Sequence, residues 1–160
     1  MKRILTALAV LALAAPAYAQ NAGQIARVRG GASCSGCNLF QAGLSGLQAR
    51  GLDLSGSRLR QADLSLVVMN RTRFNNADLR DVEAYGGVFS GSNFSGANLT
   101  NASFVGTYLD RANFSGAVLS GANFAGASLR GARGLSQSRL NQACGDEATQ
   151  LPPGLTIPRC

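Results

Sequence analysis

Residues 97–126 read Ala97-Asn98-Leu99-Thr100-Asn101, Ala102-Ser103-Phe104-Val105-Gly106, Thr107-Tyr108-Leu109-Asp110-Arg111, Ala112-Asn113-Phe114-Ser115-Gly116, Ala117-Val118-Leu119-Ser120-Gly121, Ala122-Asn123-Phe124-Ala125-Gly126. A large apolar residue stands at the centre of every block, and a small one usually opens it. Followed outward in both directions, the register holds from Cys37 to Gly131, nineteen blocks of five without an insertion. Seventeen of the nineteen central residues are large and apolar, nine blocks open on Ala and eleven close on Gly. A period of five matches neither the 3.6 of a helix nor the 2.0 of a strand. It fits a chain that turns a corner every five residues and sends one large and one small side chain inward at each side.

Fixed-period self-similarity is the mark of a solenoid. With four blocks to a square coil, residues twenty apart stack. One predicted face then carries Leu39, Leu59, Leu79, Leu99 and Leu119. Another carries Leu54, Phe74, Phe94 and Phe114, and a third sets Ala84 beneath Phe104. Nearly five coils spaced by ~4.8 Å make a rod of about 24 Å. Gly at the block ends supplies the positive φ of tight corners.

Blocks such as Ala97-Asn98-Leu99-Thr100-Asn101 and Ala122-Asn123-Phe124-Ala125-Gly126 resemble the A-(D/N)-L-x-x motif of the pentapeptide-repeat family. The resemblance covers residues 37–131 and implies a right-handed quadrilateral β-helix of about five coils, an all-β solenoid. A leucine-rich repeat would need L-x-x-L-x-L-x-x-N, which does not recur. The best-known activity in the resembled family is inhibition or protection of DNA gyrase by an acidic rod that mimics duplex DNA. The positive charge here and an export signal argue against that role.

At the N terminus Lys2 and Arg3 precede an apolar run from Ile4 to Ala15, closed by Ala17-Tyr18-Ala19. This is the layout of a secretory signal peptide over 1–19, with cleavage after Ala19, and the run is too short to span a bilayer. The expected mature chain, from Gln20, carries 13 basic and 8 acidic residues, all the basic ones Arg, for a net charge of +5. The expected location is the periplasm or outside the cell, with no transmembrane segment after cleavage. The expected partner is an envelope protein or an acidic envelope component, not nucleic acid, which would want interleaved aromatics and a longer basic stripe.

An open stack needs covering at both ends. Residues 20–36 are expected to cover one. For 132–160 the reading is a short helix capped by Ser136, with Leu140, Ala143 and Cys144 on one face and Gly145 as its stop, then a Pro-rich tail. Four cysteines in an exported chain favour two disulfides. The rod holds Cys34 and Cys37 too far from Cys144 and Cys160 to cross-pair, so Cys34–Cys37 and Cys144–Cys160 are expected. That separation also excludes one zinc site made of all four. Cys34-Ser35-Gly36-Cys37 has the spacing of thiol-disulfide exchange centres too, so redox chemistry there is the alternative function.

Catalysis finds little to stand on. The chain has no His, which removes the commonest general base and metal ligand, and no nucleotide-binding loop. Asp63 and Glu83 should stack, but a convex face offers no cleft to split their pKa values. No cofactor or metal is expected. Two surface features stand out instead. Val68, Val88 and Tyr108, twenty apart, predict an exposed apolar ladder bordered by Arg71 and Arg111, with Leu66 nearby where Gly is usual. Arg58, Arg60 and Arg80 on the all-leucine face form a candidate anion patch. The reading is an exported, non-catalytic scaffold that binds another envelope component.

Overall fold

In a computed structural model, which describes residues 20–160, the repeats wind into a right-handed quadrilateral β-helix. The signal-peptide expectation for 1–19 lies outside the described residues. Up to Arg133 every coil takes twenty residues: Asn38 pairs with Arg58, Arg58 with Asp78, Asp78 with Asn98 and Asn98 with Val118, all parallel. Four such columns run along the rod, one per face. The first face presents the leucine stack from Leu39. The second centres on Leu44, Leu64, Ala84, Phe104 and Phe124, the third on Ala49, Met69, Phe89 and Leu109, and the fourth on Leu54, Phe74, Phe94 and Phe114. All of these central residues are buried.

The motif explains its own geometry. The second residue of a block faces outward, and where it is Asp or Asn its side chain accepts from the backbone N–H two residues on. Asn98 does so from Thr100 at 3.1 Å, Asn113 from Ser115 at 3.0 Å and Asn123 from Ala125 at 2.9 Å. These turns replace helix or sheet pairing locally and start each corner. Asp53 is held down to about 2, chiefly by the Ser55 hydroxyl and then by Arg73. The corner closes when the next block's first N–H reaches back to the central carbonyl, as Ala97 does to Phe94 at 3.0 Å. Its final residue takes positive φ in all nineteen blocks, including eight that are not Gly, such as Leu66, Arg71 and Arg111.

Inside, the phenyl rings form one body. Phe94 stacks between Phe74 at 5.0 Å and Phe114 at 5.2 Å, and Phe104 stacks on Phe124 at 5.6 Å. Phe89 meets Phe74 and Phe104 edge-on, each at 6.0 Å. Ala84 leaves the space that these rings fill. Buried hydroxyls serve two corners that lack the direct turn bond. Ser57 accepts from Cys37 N–H and donates to the Cys34 carbonyl; Ser92 does the same for Thr72 and Met69.

The hydrogen-bonded ladder reaches back to Cys34, whose N–H donates to the Asp53 carbonyl at 2.8 Å. Over that end lies α1 (Ala22–Arg29), capped by Asn21, which accepts from Gln24 N–H. Its Ile25 and Val28 enter the core, and Gln24 ties the helix to Asn38 N–H at 2.7 Å.

At the other end α2 spans only Gln137–Leu140. The expected longer helix is corrected here: Ser136 makes no side-chain cap bond, and Cys144 lies beyond the helix. The reason is competition from the ladder, because Cys144 N–H donates to the Ala122 carbonyl and its own carbonyl accepts from Phe124. Arg139 completes the cover, its guanidinium donating to the carbonyls of Phe114, Ala117 and Gly134. Gly134 is required there: its φ is +74°, and a Cβ would sit 2.4 Å from the Ser115 nitrogen.

Candidate interaction surface

The third face joins Val68 to Val88 and Val88 to Tyr108 in one parallel column. The two valines are half-buried, and Tyr108 is 54% exposed. The corner before this face widens the column into a strip. Leu66 is 61% and Tyr85 57% exposed, and Leu66 N–H donates to the Tyr85 carbonyl at 2.8 Å. Gly86 N–H donates in turn to Val105, which places Val105 beyond Tyr85. The Leu66 side chain leans over Gly86, where a Cβ would meet its Cδ2 at 2.9 Å.

Leu66 is held at φ 58°, a conformation that costs an L-residue about 1–2 kcal/mol and that Gly adopts freely. Seven other non-glycine block ends share that φ, so what sets Leu66 apart is its large apolar side chain in solvent. Tyr85 and Val105 were not among the sequence candidates. Their signal was there, since both stand fourth in their blocks, where Ser, Asn and Arg are usual.

The corner after the third face carries the expected arginines. Arg71 lies across Gly91, and Arg111 across Gly131, each with its Cγ close to the glycine. The candidate anion patch on the first face reads differently. Arg80 makes two bonds to Asp78, at 2.7 and 2.6 Å, and Arg60 pairs with Asp81 at 3.2 Å. These bonds hold the Asp78 carboxyl below its usual range and raise Arg80. Arg58 lines the same cavity, of about 330 Å³, with Phe40. Arg60 and Arg80 are therefore taken by the rod's own carboxylates.

Cys34 is bonded to Cys37 and Cys144 to Cys160, with Cα separations of 5.6 and 4.8 Å. The Cys-x-x-Cys spacing follows from the repeat: the central residue of one block and the first of the next both point inward across a corner. Cys34 and Cys37 are 4% and 7% exposed, the burial of a structural bridge more than of a reactive thiol. Asp63 and Glu83 pair along the second face, both exposed and without a surrounding cleft. Among the described residues, no group of three or more Cys, Asp or Glu is placed to hold a metal ion, and no helix is long and apolar enough to cross a membrane.

A flat-sided solenoid with capped ends, paired cysteines and one apolar strip belongs to the class of rigid repeat scaffolds. The Pentapeptide repeats family model matches residues 50–83, 80–116, 97–133 and 107–144 in 8 copies. The chain belongs to the pentapeptide-repeat family, whose members are generally non-enzymatic scaffolds with protein-interaction roles. Among solved structures it is similar to HetL, a pentapeptide repeat protein involved in heterocyst differentiation regulation from the cyanobacterium Nostoc. There the identity is 26% and the TM-score 0.53, over 74% of this chain and 51% of HetL, so the chain spans about half of that protein. QnrB1, a plasmid-mediated fluoroquinolone resistance protein, is 18% identical with a TM-score of 0.49, over 75% and 76% of the two chains. A pentapeptide repeat protein of the Arabidopsis thaliana thylakoid lumen is 22% identical with a TM-score of 0.36, over 73% and 74%. No curated protein matches the chain.

Proposed function

We propose that this protein is an exported, non-catalytic binding module of the bacterial cell envelope, acting through the apolar strip on its third face and the corner beside it. The observation that carries the reading is the strip itself: Leu66, Tyr85 and Tyr108 exposed in one contiguous run beside Val68 and Val88. Every other outward column is dominated by polar residues, and large exposed apolar patches on soluble proteins mark contact sites. Tyr at the centre with Arg71 and Arg111 at the border is the composition of a binding hot spot. Export is supported by the charged start, short apolar run and Ala17-Tyr18-Ala19, together with four cysteines that pair as disulfides.

Leu66→Gly separates binding from folding. Removing the left-handed leucine is expected to raise stability by about 1 kcal/mol, because Gly carries no penalty at that φ. The same change, and Val88→Asp independently, is expected to abolish covalent capture of a partner in the envelope of the source cell. Undiminished capture by Leu66→Gly and Val88→Asp, with both variants exported and folded, would remove the strip as the binding site. Wild-type protein found only in the cytoplasm would remove the envelope role.

A further inference from the structure

Beside the strip, the corner between the third and fourth faces opens into a groove of about 760 Å³ that runs along the rod. Arg50, Asn70, Arg71, Ser90, Arg111 and Arg133 line it. The ladder sets the corner's order: Gly51 N–H donates to Asn70, Arg71 to Ser90, Gly91 to Asp110 and Arg111 to Arg130, while Arg133 joins from the fourth face, paired with Asn113. Among the described residues the ion pairs use Arg60, Arg73, Arg80 and Arg159, and none of the four groove arginines. Four guanidiniums thus line one groove with no carboxylate partner among the ion pairs of the described residues. Each has the fork that grips a carboxylate through two parallel bonds.

We infer that this groove binds an extended acidic segment of a partner protein. The inference takes from the proposed role only that the partner is a protein, and adds where its carboxylates go. Gly51 leaves the floor at one end open to an approaching main chain. The Asn70 side-chain Oδ1 accepts from Ser90 N–H, which leaves its Nδ2 to donate.

A carboxylate interrupts the cationic groove and disfavours a nucleic-acid backbone. Arg71 and Arg111 are two coils apart, about 10 Å. Asp110 stands in the same corner column between Ser90 and Arg130, its carboxylate accepting from Ser128 at 2.6 Å. A phosphate backbone would meet that carboxylate, whereas a peptide can set a neutral or donor side chain opposite it. No aromatic side chain lines the groove for bases to stack on. A membrane surface would ask for cations spread over a flat face, not sunk along a corner.

The test is titration of the purified protein with a dye-labelled peptide of alternating glutamate and serine at low salt. Oligothymidylate of equal charge and phosphatidylglycerol vesicles serve as rival probes. The double variant Arg71→Gln/Arg111→Gln is expected to weaken peptide binding by about tenfold or more, while Arg27→Gln, on α1, changes it less than about twofold. Tyr108→Ser is expected to leave peptide binding intact, so that failure of the strip and failure of the groove read out separately. Equal losses from Arg27→Gln and from the groove arginines would reduce the effect to net charge and overturn the inference. Absence of peptide binding, or tighter groove-dependent binding of the oligonucleotide or the vesicles, would overturn it as well.

Discussion

Phe94→Ala is expected to lower the unfolding free energy by about 3–5 kcal/mol, the range for deleting a fully buried aromatic ring. Phe94 is 1% exposed and lies at the middle of the rod. It stacks at 5.0 Å on Phe74 and at 5.2 Å on Phe114, and meets Phe89 and Phe104 edge-on at 6.0 and 5.9 Å. No neighbour has a free rotamer with which to fill the vacated space, because close-packed rings block one another. The position matters as much as the ring. In a repeat protein each unit touches only its neighbours, so a cavity at mid-rod weakens the coupling between the two halves. Urea unfolding followed by circular dichroism is therefore expected to lose its single transition and show the halves melting separately. Phe124 is the control. It stacks on one ring only, Phe104, and touches Phe114 edge-on, so Phe124→Ala should cost less and keep one transition. A loss below about 1 kcal/mol for Phe94→Ala would mean that the stacked column contributes little to the core.

The second large effect is at the C-terminal cover. Replacing Cys144 and Cys160 by Ser opens a loop with a sequence separation of 16 and is expected to cost about 3 kcal/mol. The bridge holds the last strand-like contact of the molecule. Gly145 N–H donates to the Pro158 carbonyl at 2.8 Å, and Cys160 N–H returns to Gly145 at 2.9 Å. The tail between them lays Leu151, Leu155 and Ile157 against the core. Without the bridge the tail is expected to become sensitive to protease beyond residue 144 while the ladder below it survives. The Cys34–Cys37 loop is much shorter and releases less chain entropy, so its removal should cost less. Reduction should follow the same order, because Cys160 is exposed and the other pair is buried. Prior reduction of Cys34–Cys37 by a mild thiol would reverse this ranking and revive the redox reading.

The fold was legible because an unbroken five-residue period fits neither a helix nor a strand and its blocks resemble a known repeat motif. Central leucines and phenylalanines twenty apart stack where the spacing put them, and the positive φ that eleven glycines announced extends to the eight block ends that are not Gly. What the period could not say was how a coil ends. The cover over 20–36 contains α1, whose start was readable in Asn21 and Gln24 and whose inward face was readable in Ile25 and Val28. The α2 helix was read too long because Leu140, Ala143 and Cys144 fit a helical face equally well. Ladder bonds to Ala122 and Phe124 outcompete the extra turn, and nothing local records them.

The interaction strip was half legible. Outward second positions revealed Val68, Val88 and Tyr108, but the fourth positions, where Tyr85 and Val105 sit, belong to a corner whose side chains also reach the surface. Arginine pairing was legible in part, since the sequence sets Asp78 on the face of Arg58, Arg60 and Arg80, where it partly offsets their charge. Arg80 takes a carboxylate two residues away, and Arg60 takes one twenty-one residues away. Stacking order sets which charges are near, and side-chain reach decides which of them bond.

The most direct measurement places a photo-crosslinking amino acid in turn at Ser103, Tyr108, Asn113 and Val118, one on each face of the same region of the rod. Irradiation of the source cell's envelope is expected to give a protein adduct from position 108 that disappears when Leu66→Gly is added, and none from the other three. Equal adducts from all four faces, or adducts from any face except the one that carries Tyr108, would contradict the claim that this scaffold binds through its apolar strip.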